Sequence, residues 1–441
     1  MFAYYLKLAL RSFRRNKVLT ALMVLAVALG IGASMTTLTV FHVLSGDPIP
    51  HKSDILFYPR IEPRTMGRNA RPEAEPMEQM TRFDAEELLR QKRGVRQALM
   101  TGGSITILPD GAAMQPSSQP FRARARYASA DFFPMFDAPL LHGRSWSAGE
   151  DEGRARVAVI SRELSQQLFD DANGVGRSVR LSQGAFQVIG VLDDWAVNPR
   201  FYDLSNRHFG GSEQIFLPFS TAMDLELPTQ GSMWCWGNPN QNGESQHSPS
   251  APCAWVQYWV ELATPGEAAG YLKYLSEYSD QQRAAGRFER PANVRLDNVM
   301  GWLDFKGVVP RDVRMQMWLA FGFLLVCLVN TTGLLLAKFL RRSGEIGVRR
   351  ALGASRHDIF TQCLMETGCI GAAGGVLGLG FALLGLWLVR QQPDNYAQMA
   401  HMNPTMLGTT LVLALAASLM SGLLPAWRAM QITPAVQLKT Q

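Results

Sequence analysis

The chain has 441 residues, a formal net charge of +6 and a mean hydropathy of −0.03. These averages are typical of a soluble protein, but the sequence contains four runs of at least 23 residues without Asp, Glu, Lys or Arg. A bilayer core about 30 Å thick is crossed by roughly 20 apolar residues in a helix. Because soluble folds rarely contain four such runs, the pattern excludes an ordinary soluble protein and predicts four transmembrane helices. The runs are Val18–Phe41, Met315–Ala337, Thr367–Val389 and Thr405–Trp427.

The N-terminal segment has five cations and no acid before the first run. Its apolar residues recur at helical spacing opposite the cations, which favours an amphipathic helix over residues 1–17 that contacts lipid of the inner leaflet. A plain positive flank is the alternative and gives the same topology. A cleaved signal peptide has an apolar core of about 7–15 residues. The longer run therefore predicts an uncleaved first helix.

The charges divide unevenly along the chain. Residues 46–312 carry 28 Lys and Arg against 33 Asp and Glu, a net charge of −5, whereas the rest of the chain has a net charge of +11. Six cations against three acids lie between the second and third runs. By the positive-inside rule, the N-terminus, this connecting segment and the C-terminal tail are cytoplasmic, and the large insertion lies outside.

This topology predicts a membrane α-helical protein of four transmembrane helices, with a large α+β periplasmic domain inserted between helices 1 and 2. The predicted order is the amphipathic helix (1–17), the first helix (18–44), the external domain (45–313), the second helix (314–338), a cytoplasmic connecting segment (339–362), the third helix (363–390), a short external loop (391–404), the fourth helix (405–427) and a cytoplasmic tail (428–441).

The large insertion shows an α+β pattern. Val157–Ile160 has the composition of a buried strand, and Ser161 is a suitable N-cap for a helix that extends to Phe169. Arg177–Leu181 and Phe186–Leu192 then form the predicted strands of a hairpin. Two other segments, Glu62–Glu78 and Gln230–Cys253, have loop composition and are poor candidates for regular structure.

The five cysteines divide between compartments. Cys235 and Cys253 belong to the external domain, where an oxidising environment favours a disulfide between them, and two unpaired packed thiols are the alternative. The other three lie in or next to the predicted transmembrane helices. Tryptophans surround the external pair and form either an exposed aromatic surface or buried anchors. They are Trp234, Trp236, Trp255 and Trp259.

The motifs that the sequence lacks restrict its function. It has no G-x-x-x-x-G-K-S/T phosphate loop, no Cys-x-x-Cys and no His-Glu-x-x-His, so we predict no catalytic residues, no metal site and no cofactor bound by this chain. Charge-free transmembrane runs argue against an ion-coupled pump. A glycine cluster in the third run has small-xxx-small spacing, which indicates close helix packing. The cluster comprises Gly371, Gly374, Gly375 and Gly378.

The motif EIGVRRALGAS follows the second run. Together with the order of one helix, a large external domain and three helices, it resembles the permease subunits of the MacB/FtsX (type VII, mechanotransmission) ABC transporters. The external stretch ADFFPMFDAPLLHGR, followed by VAVISRELSQQLF and GVGRSVRLSQGAFQVIGVL, looks like the MacB periplasmic core domain. The ending GLLPAWRAMQITPAVQLK is similar to the terminal helix and tail of that family.

The resemblance implies a permease that pairs with a second permease, as a homodimer or heterodimer, and with a cytoplasmic ABC ATPase that binds ATP and Mg. Because the chain begins at the first helix, we expect that ATPase to be a separate subunit. A periplasmic adaptor and an outer-membrane channel are further candidate partners, and no nucleic acid is expected. The segment expected to couple to the ATPase comprises Glu345, Ile346, Gly347, Val348, Arg349, Arg350, Ala351, Leu352, Gly353 and Ala354.

Three functional classes follow from these patterns. The first is a permease for efflux or extraction of a periplasmic or membrane substrate, driven by helix movements that are transmitted to the external domain. The second is an FtsX-like regulator that activates a periplasmic cell-wall hydrolase. The third is a membrane sensor, for which the sequence offers no cytoplasmic signalling domain. The MacB-like external stretch favours the first class, because FtsX-like external domains are typically smaller.

Overall fold

The computed structural model describes residues 17–66, 75–108, 119–205, 208–236, 245–392 and 404–431. The chain folds into two compact units. One comprises Met1–Ser45 with Val309–Gln441, and the other comprises Gly46–Val308. The amphipathic helix predicted for residues 1–17 lies outside the described residues except for Lys17, and so do most of the predicted loop 391–404 and the end of the tail.

The helices follow one another along both units. They are α1 (Lys17–Ser45), α2 (Arg82–Gln91), α3 (Phe132–Met135), α4 (Ala148–Glu152), α5 (Arg162–Phe169), α6 (Phe219–Asp224), α7 (Pro265–Ala284), α8 (Val299–Phe305), α9 (Arg311–Arg341), α10 (Ser343–Ala351), α11 (Arg356–Arg390) and α12 (Pro404–Met430).

Four helices of the described chain, α1, α9, α11 and α12, are 27 to 35 residues long and apolar enough to cross a membrane. They pack on one another within the first unit. The prediction of four transmembrane helices with a large domain inserted after the first is confirmed. Since the outward faces of α9, α11 and α12 carry large exposed apolar side chains, they are suited to contact lipid.

The glycine cluster brings α11 close to two neighbours. A Cβ atom on Gly371 would lie 1.9 Å from Cβ of Ser418 on α12, and one on Gly375 would lie 2.8 Å from Cβ of Ala414. On the opposite side, Gly374 and Gly378 contact α1 at similarly short distances. These helices pack this closely because the glycines have no side chain.

The boundaries of α9 and α11 differ from the predicted ones. α9 ends three residues beyond the predicted 338, and α11 begins at Arg356 instead of residue 363. The early start has a local cause. The Ser355 hydroxyl accepts a hydrogen bond from the backbone N–H of Asp358 at 3.1 Å, and the Asp358 carboxylate accepts one from the backbone N–H of Ser355, so that a capping box begins the helix.

The second unit is built on a mixed sheet. Its strands are β1 (Leu56–Arg60), β2 (Met80–Thr81), β3 (Arg96–Leu108), β4 (Phe121–Ala128), β5 (Leu140–Gly143), β6 (Val157–Ser161), β7 (Ser178–Leu181), β8 (Gly184–Leu192), β9 (Ile215–Pro218), β10 (Thr229–Gln230), β11 (Trp234–Cys235), β12 (Cys253–Glu261) and β13 (Arg295–Asn298). The main path of the described sheet is β13-β1-β12-β3-β4-β9-β6-β8-β5, in which β4–β9 and β6–β8 are parallel. Helices flank this sheet around a continuous apolar core.

The predicted strand, cap and hairpin occur in this unit, with one change. Ser161 accepts a hydrogen bond from the backbone N–H of Leu164 at 3.1 Å and begins α5. The turn of the β7–β8 hairpin is shorter than the four residues between the two predicted strands, because Leu181 already pairs with Gly184. Gly184 has φ of +128°, a conformation that glycine adopts without strain.

Residues 67–74 and 237–244 of the two segments predicted as loops lie outside the described residues, and the described parts make defined contacts. In the first, Glu62 is buried and binds Arg64 and Arg290, so this end is anchored although residues 62–66 have no regular structure. In the second, β11 pairs with β12, which gives Gln230–Cys253 a short strand. Prediction missed these features because ion pairs and two-residue strands leave little compositional signal.

Candidate interaction site at one end of the helical unit

The segment expected to couple to a partner forms the short helix α10 and the turn after it. Gly353 has φ of +103°, which glycine tolerates and which lets the chain reverse direction. The backbone N–H of Ala354 donates to the Arg349 carbonyl at 3.0 Å and closes the end of α10. The structure thereby brings the ten predicted residues together between α9 and α11.

α10 has two contrasting faces. Ile346 is 9% exposed and packs with Phe339, Ile359 and Cys363 of the neighbouring helices. On the other face, Val348 is 57% exposed and Leu352 is 83% exposed. Ala351 is exposed on the same face. We call Val348, Ala351 and Leu352 the α10 outer face.

An ion cluster lies beneath α10. Nζ of Lys338 lies 2.6 Å from Oε1 of Glu366, and Nη1 of Arg342 lies 3.4 Å from Oε2 of the same carboxylate. Glu345 contacts Nε of Arg342 at 3.3 Å and Nη2 of Arg349 at 3.1 Å. The predicted i, i+4 neighbours Glu345 and Arg349 therefore share a face, and Glu345 is engaged within the chain.

The sequence prediction did not include Lys338 and Glu366 in the site. Both side chains are almost fully buried in the structure. The second charge-free run ends at Ala337 and the third begins at Thr367, so both residues lie just outside these runs. One local signal was available. The Ser355-x-x-Asp358 capping pattern indicates that α11 starts early, which places Glu366 inside a helix.

The external unit contains the disulfide. Cys235 and Cys253 are joined with an S–S distance of 1.98 Å, and the three cysteines of the helical unit are free thiols. Of the two alternatives for the tryptophans near this pair, burial holds for Trp255 and Trp259, which are 3% and 0% exposed. Trp234 is 61% exposed. β12 buries the two tryptophans because it is a central strand.

A cleft of about 1080 Å³ opens in the external unit between α2, α4 and α6. Asp151 lies in its wall, where Oδ1 accepts a hydrogen bond from the backbone N–H of Ser220 at 2.9 Å. Burial raises the pKa of Asp151 to about 6, against the lowering effect of the Ser220 hydrogen bonds. Among the described residues, no three His, Cys, Asp or Glu side chains are grouped as a metal site.

Two family models match this chain, one mainly in the external unit and the other in the helical unit. Residues 20–267 match the MacB-like periplasmic core domain, and residues 317–434 match the FtsX-like permease C-terminal region. The first match covers most of α1 and the external unit as far as residue 267, and the second covers α10 together with the helices around it.

Two relatives show how far the similarity extends. The chain is 22% identical over 440 residues to the macrolide export ATP-binding/permease protein MacB of Marinobacter nauticus, with 99% of this chain and 60% of that protein covered. It is 24% identical over 316 residues to the pyoverdine export ATP-binding/permease protein PvdT of Pseudomonas aeruginosa, with 71% and 42% covered. The chain thus spans about half the length of these curated relatives.

Solved structures of external domains are also similar. The periplasmic region of MacB from Actinobacillus actinomycetemcomitans is 15% identical, has a TM-score of 0.35 and covers 57% of this chain and 92% of its own. The extracellular domain of the transporter YknZ from Gram-positive bacteria is 12% identical, has a TM-score of 0.34 and covers 54% of this chain and 99% of its own.

Proposed function

Because the chain belongs to the family of MacB/FtsX-type ABC transporter permeases, we propose that it couples ATP hydrolysis by a separate cytoplasmic ATPase to movement of its periplasmic domain. It is a multi-pass inner-membrane protein, and in this proposal it acts with a second permease subunit. In this proposal the partner ATPase binds ATP and Mg. The resulting movement drives efflux or extraction of a periplasmic or membrane substrate.

The α10 outer face is the observation that carries this proposal. Val348 and Leu352 expose apolar surface in a segment that the positive-inside rule assigns to the cytoplasm. Exposed apolar side chains of this kind are typical of the centre of a protein interface, where a groove on the partner covers them. The buried Ile346 fixes the opposite side of α10 to the helical unit. Force applied to the outer face therefore reaches the transmembrane helices.

The experiment places a charge on the α10 outer face. Leu352→Asp should reduce copurification of the ATPase on the order of tenfold or more, because loss of a buried interface anchor costs about 2 kcal/mol or more. Leu272→Asp is the matched control, since Leu272 is 40% exposed on α7 in the periplasmic domain. Glu345 is avoided because it binds Arg342 and Arg349 within the chain.

Both variants should be expressed and inserted as the wild type is. Wild-type ATPase copurification by Leu352→Asp would eliminate the outer face as the ATPase contact. The proteins that copurify with the periplasmic domain then distinguish export from regulation of a hydrolase. An adaptor with an outer-membrane channel supports export, and a cell-wall hydrolase supports the FtsX-like regulator.

A further inference from the structure

Glu366 is a carboxylate held inside the helical unit. Its side chain is 4% exposed, and its partner Lys338 on α9 is fully buried. Removing two charges from water is costly, and a well-packed apolar pair often replaces a buried ion pair without loss of stability. The pair therefore needs an explanation other than the stability of the fold.

The contacts of Arg342 supply that explanation. Arg342 is the residue between α9 and α10. Its guanidinium contacts Glu366 through Nη1 at 3.4 Å and Glu345 of α10 through Nε at 3.3 Å. One side chain thus joins the buried carboxylate of α11 to the first turn of α10.

A second contact holds the last turn of α10. Nη1 of Arg349 donates to Oε1 of Gln362 on α11 at 3.0 Å, and Nη2 of the same guanidinium contacts Glu345. The polar chain from Lys338 through Glu366, Arg342, Glu345 and Arg349 to Gln362 therefore connects α9, α10 and α11. It ties α10 to α11 at both ends.

α10 needs such ties because it is short. It has nine residues and buries only Ile346 and Gly347. Isolated helices shorter than about 12–15 residues are marginal in water, so tertiary contacts must both maintain and orient it. Two buried residues prevent α10 from leaving the helical unit, but they leave its rotation weakly defined. Directional contacts from Arg342 and Arg349 define that rotation.

We propose that Glu366 is a positioning residue that holds Arg342, and through it α10, in the orientation that presents Val348 and Leu352 outward. Lys338 neutralises the buried carboxylate and keeps it directed toward Arg342. The consequence for ATPase binding rests on the proposed function, whereas the positioning of α10 requires no partner. A preorganised α10 binds the ATPase more tightly. If only a fraction of the molecules holds α10 in the binding-competent orientation, the apparent affinity for the ATPase is reduced by that fraction.

The direct test measures the distance between α10 and α11 in the full chain. Spin labels are placed at Val348 and at Val376, which are 57% and 67% exposed, after the free cysteines have been replaced by alanine. Wild type should give a narrow distance distribution. Glu366→Gln and Arg342→Gln should broaden it, and Glu366→Asp, which retains the charge, should keep it narrow.

Thr332→Val is the matched control within the helical unit. The Thr332 hydroxyl donates to the Ser421 carbonyl at 3.2 Å and links α9 to α12 without a contact to α10. The control should leave the distribution narrow. An unchanged distribution in both glutamine variants overturns the proposal, and so does equal broadening in Thr332→Val. If Glu366→Gln does not fold, Arg342→Gln decides, because that side chain is 19% exposed and the Lys338–Glu366 pair remains.

ATPase binding provides the functional readout. Glu366→Gln and Arg342→Gln should weaken the apparent affinity for the ATPase on the order of tenfold, and Glu366→Asp and Thr332→Val should not. Unchanged affinity in both glutamine variants shows that the orientation of α10 does not matter for docking and overturns that consequence. If wild type itself binds no ATPase, the proposed function fails, while the distance distributions still decide the role of Glu366.

Discussion

Asp151 is a buried carboxylate whose pKa of about 6 affects stability near neutral pH. The raised pKa means that the unfolded chain ionises first as pH increases. The pKa of Asp151 is about 3.9 in the unfolded chain and about 6 in the folded domain. The folded domain therefore has its full stability below about pH 3.9, where Asp151 is protonated in both states, and loses part of it as the pH rises through about 6. The ionised group therefore destabilises the periplasmic domain at pH 7.

Asp151→Asn should raise the free energy of unfolding of this domain at pH 7. An amide oxygen still accepts from the Ser220 N–H, and the cost of burying a charge disappears, which gives about 1–3 kcal/mol. The gain should vanish near pH 4. Urea unfolding of the purified full chain, followed by tryptophan fluorescence, measures it. Asp280→Asn, at an exposed position of α7, is the matched control. A destabilised Asp151→Asn at pH 7 would refute the assigned pKa.

Single residues differ in how well sequence predicts their environment. The Cys235–Cys253 pairing was predictable, because compartment and small separation along the chain both favour it. The Lys338–Glu366 pair was not, since its members are 28 positions apart and only the folded helices bring them together. Burial of a charge depends on tertiary contacts, and hydropathy along the chain does not report those contacts.

At the scale of elements, the packing of α11 provides a matched pair of glycines. Gly371→Ala should destabilise the helical unit, because its Cβ would collide with Ser418, and overpacking typically costs about 1–3 kcal/mol. Gly380→Ala should cause no loss, since nothing lies within 4 Å of a Cβ at that position. Thermal unfolding of the two variants in detergent compares them. Equal melting temperatures would show that the close approach of α11 and α12 is not required.

The sequence predicts that each of the four long elements is a helix, but it predicts the first and last residues of those helices less accurately. Four apolar runs identify α1, α9, α11 and α12 because length and absence of charge are strong signals. α11 nevertheless begins seven residues before the predicted start, where a capping box outweighs the change in hydropathy. Short strands such as β11 depend on pairing with a distant partner, and local sequence cannot reveal that pairing.

At the scale of the whole molecule, the distribution of charge predicts the topology. The net charge of −5 in residues 46–312 against +11 elsewhere places the periplasmic domain outside and α10 inside by the positive-inside rule. Reporter fusions after Gly46 and Asp394 should show an external location, and fusions after Gly344 and Lys439 a cytoplasmic one. A cytoplasmic signal at Gly46 would reverse the orientation and remove α10 from the reach of the ATPase.

The central claim is that ATP hydrolysis in a partner moves the periplasmic domain. Spin labels at Lys273 on α7, whose side chain is 77% exposed, and at Met315 on α9, which is 59% exposed, report the distance between the domain and a transmembrane helix. The wild-type complex with its ATPase should change this distance distribution when ATP and Mg are added. The chain alone should show neither hydrolysis nor change, and Leu352→Asp should abolish the response. An unchanged distribution in a complex that hydrolyses ATP would contradict the account.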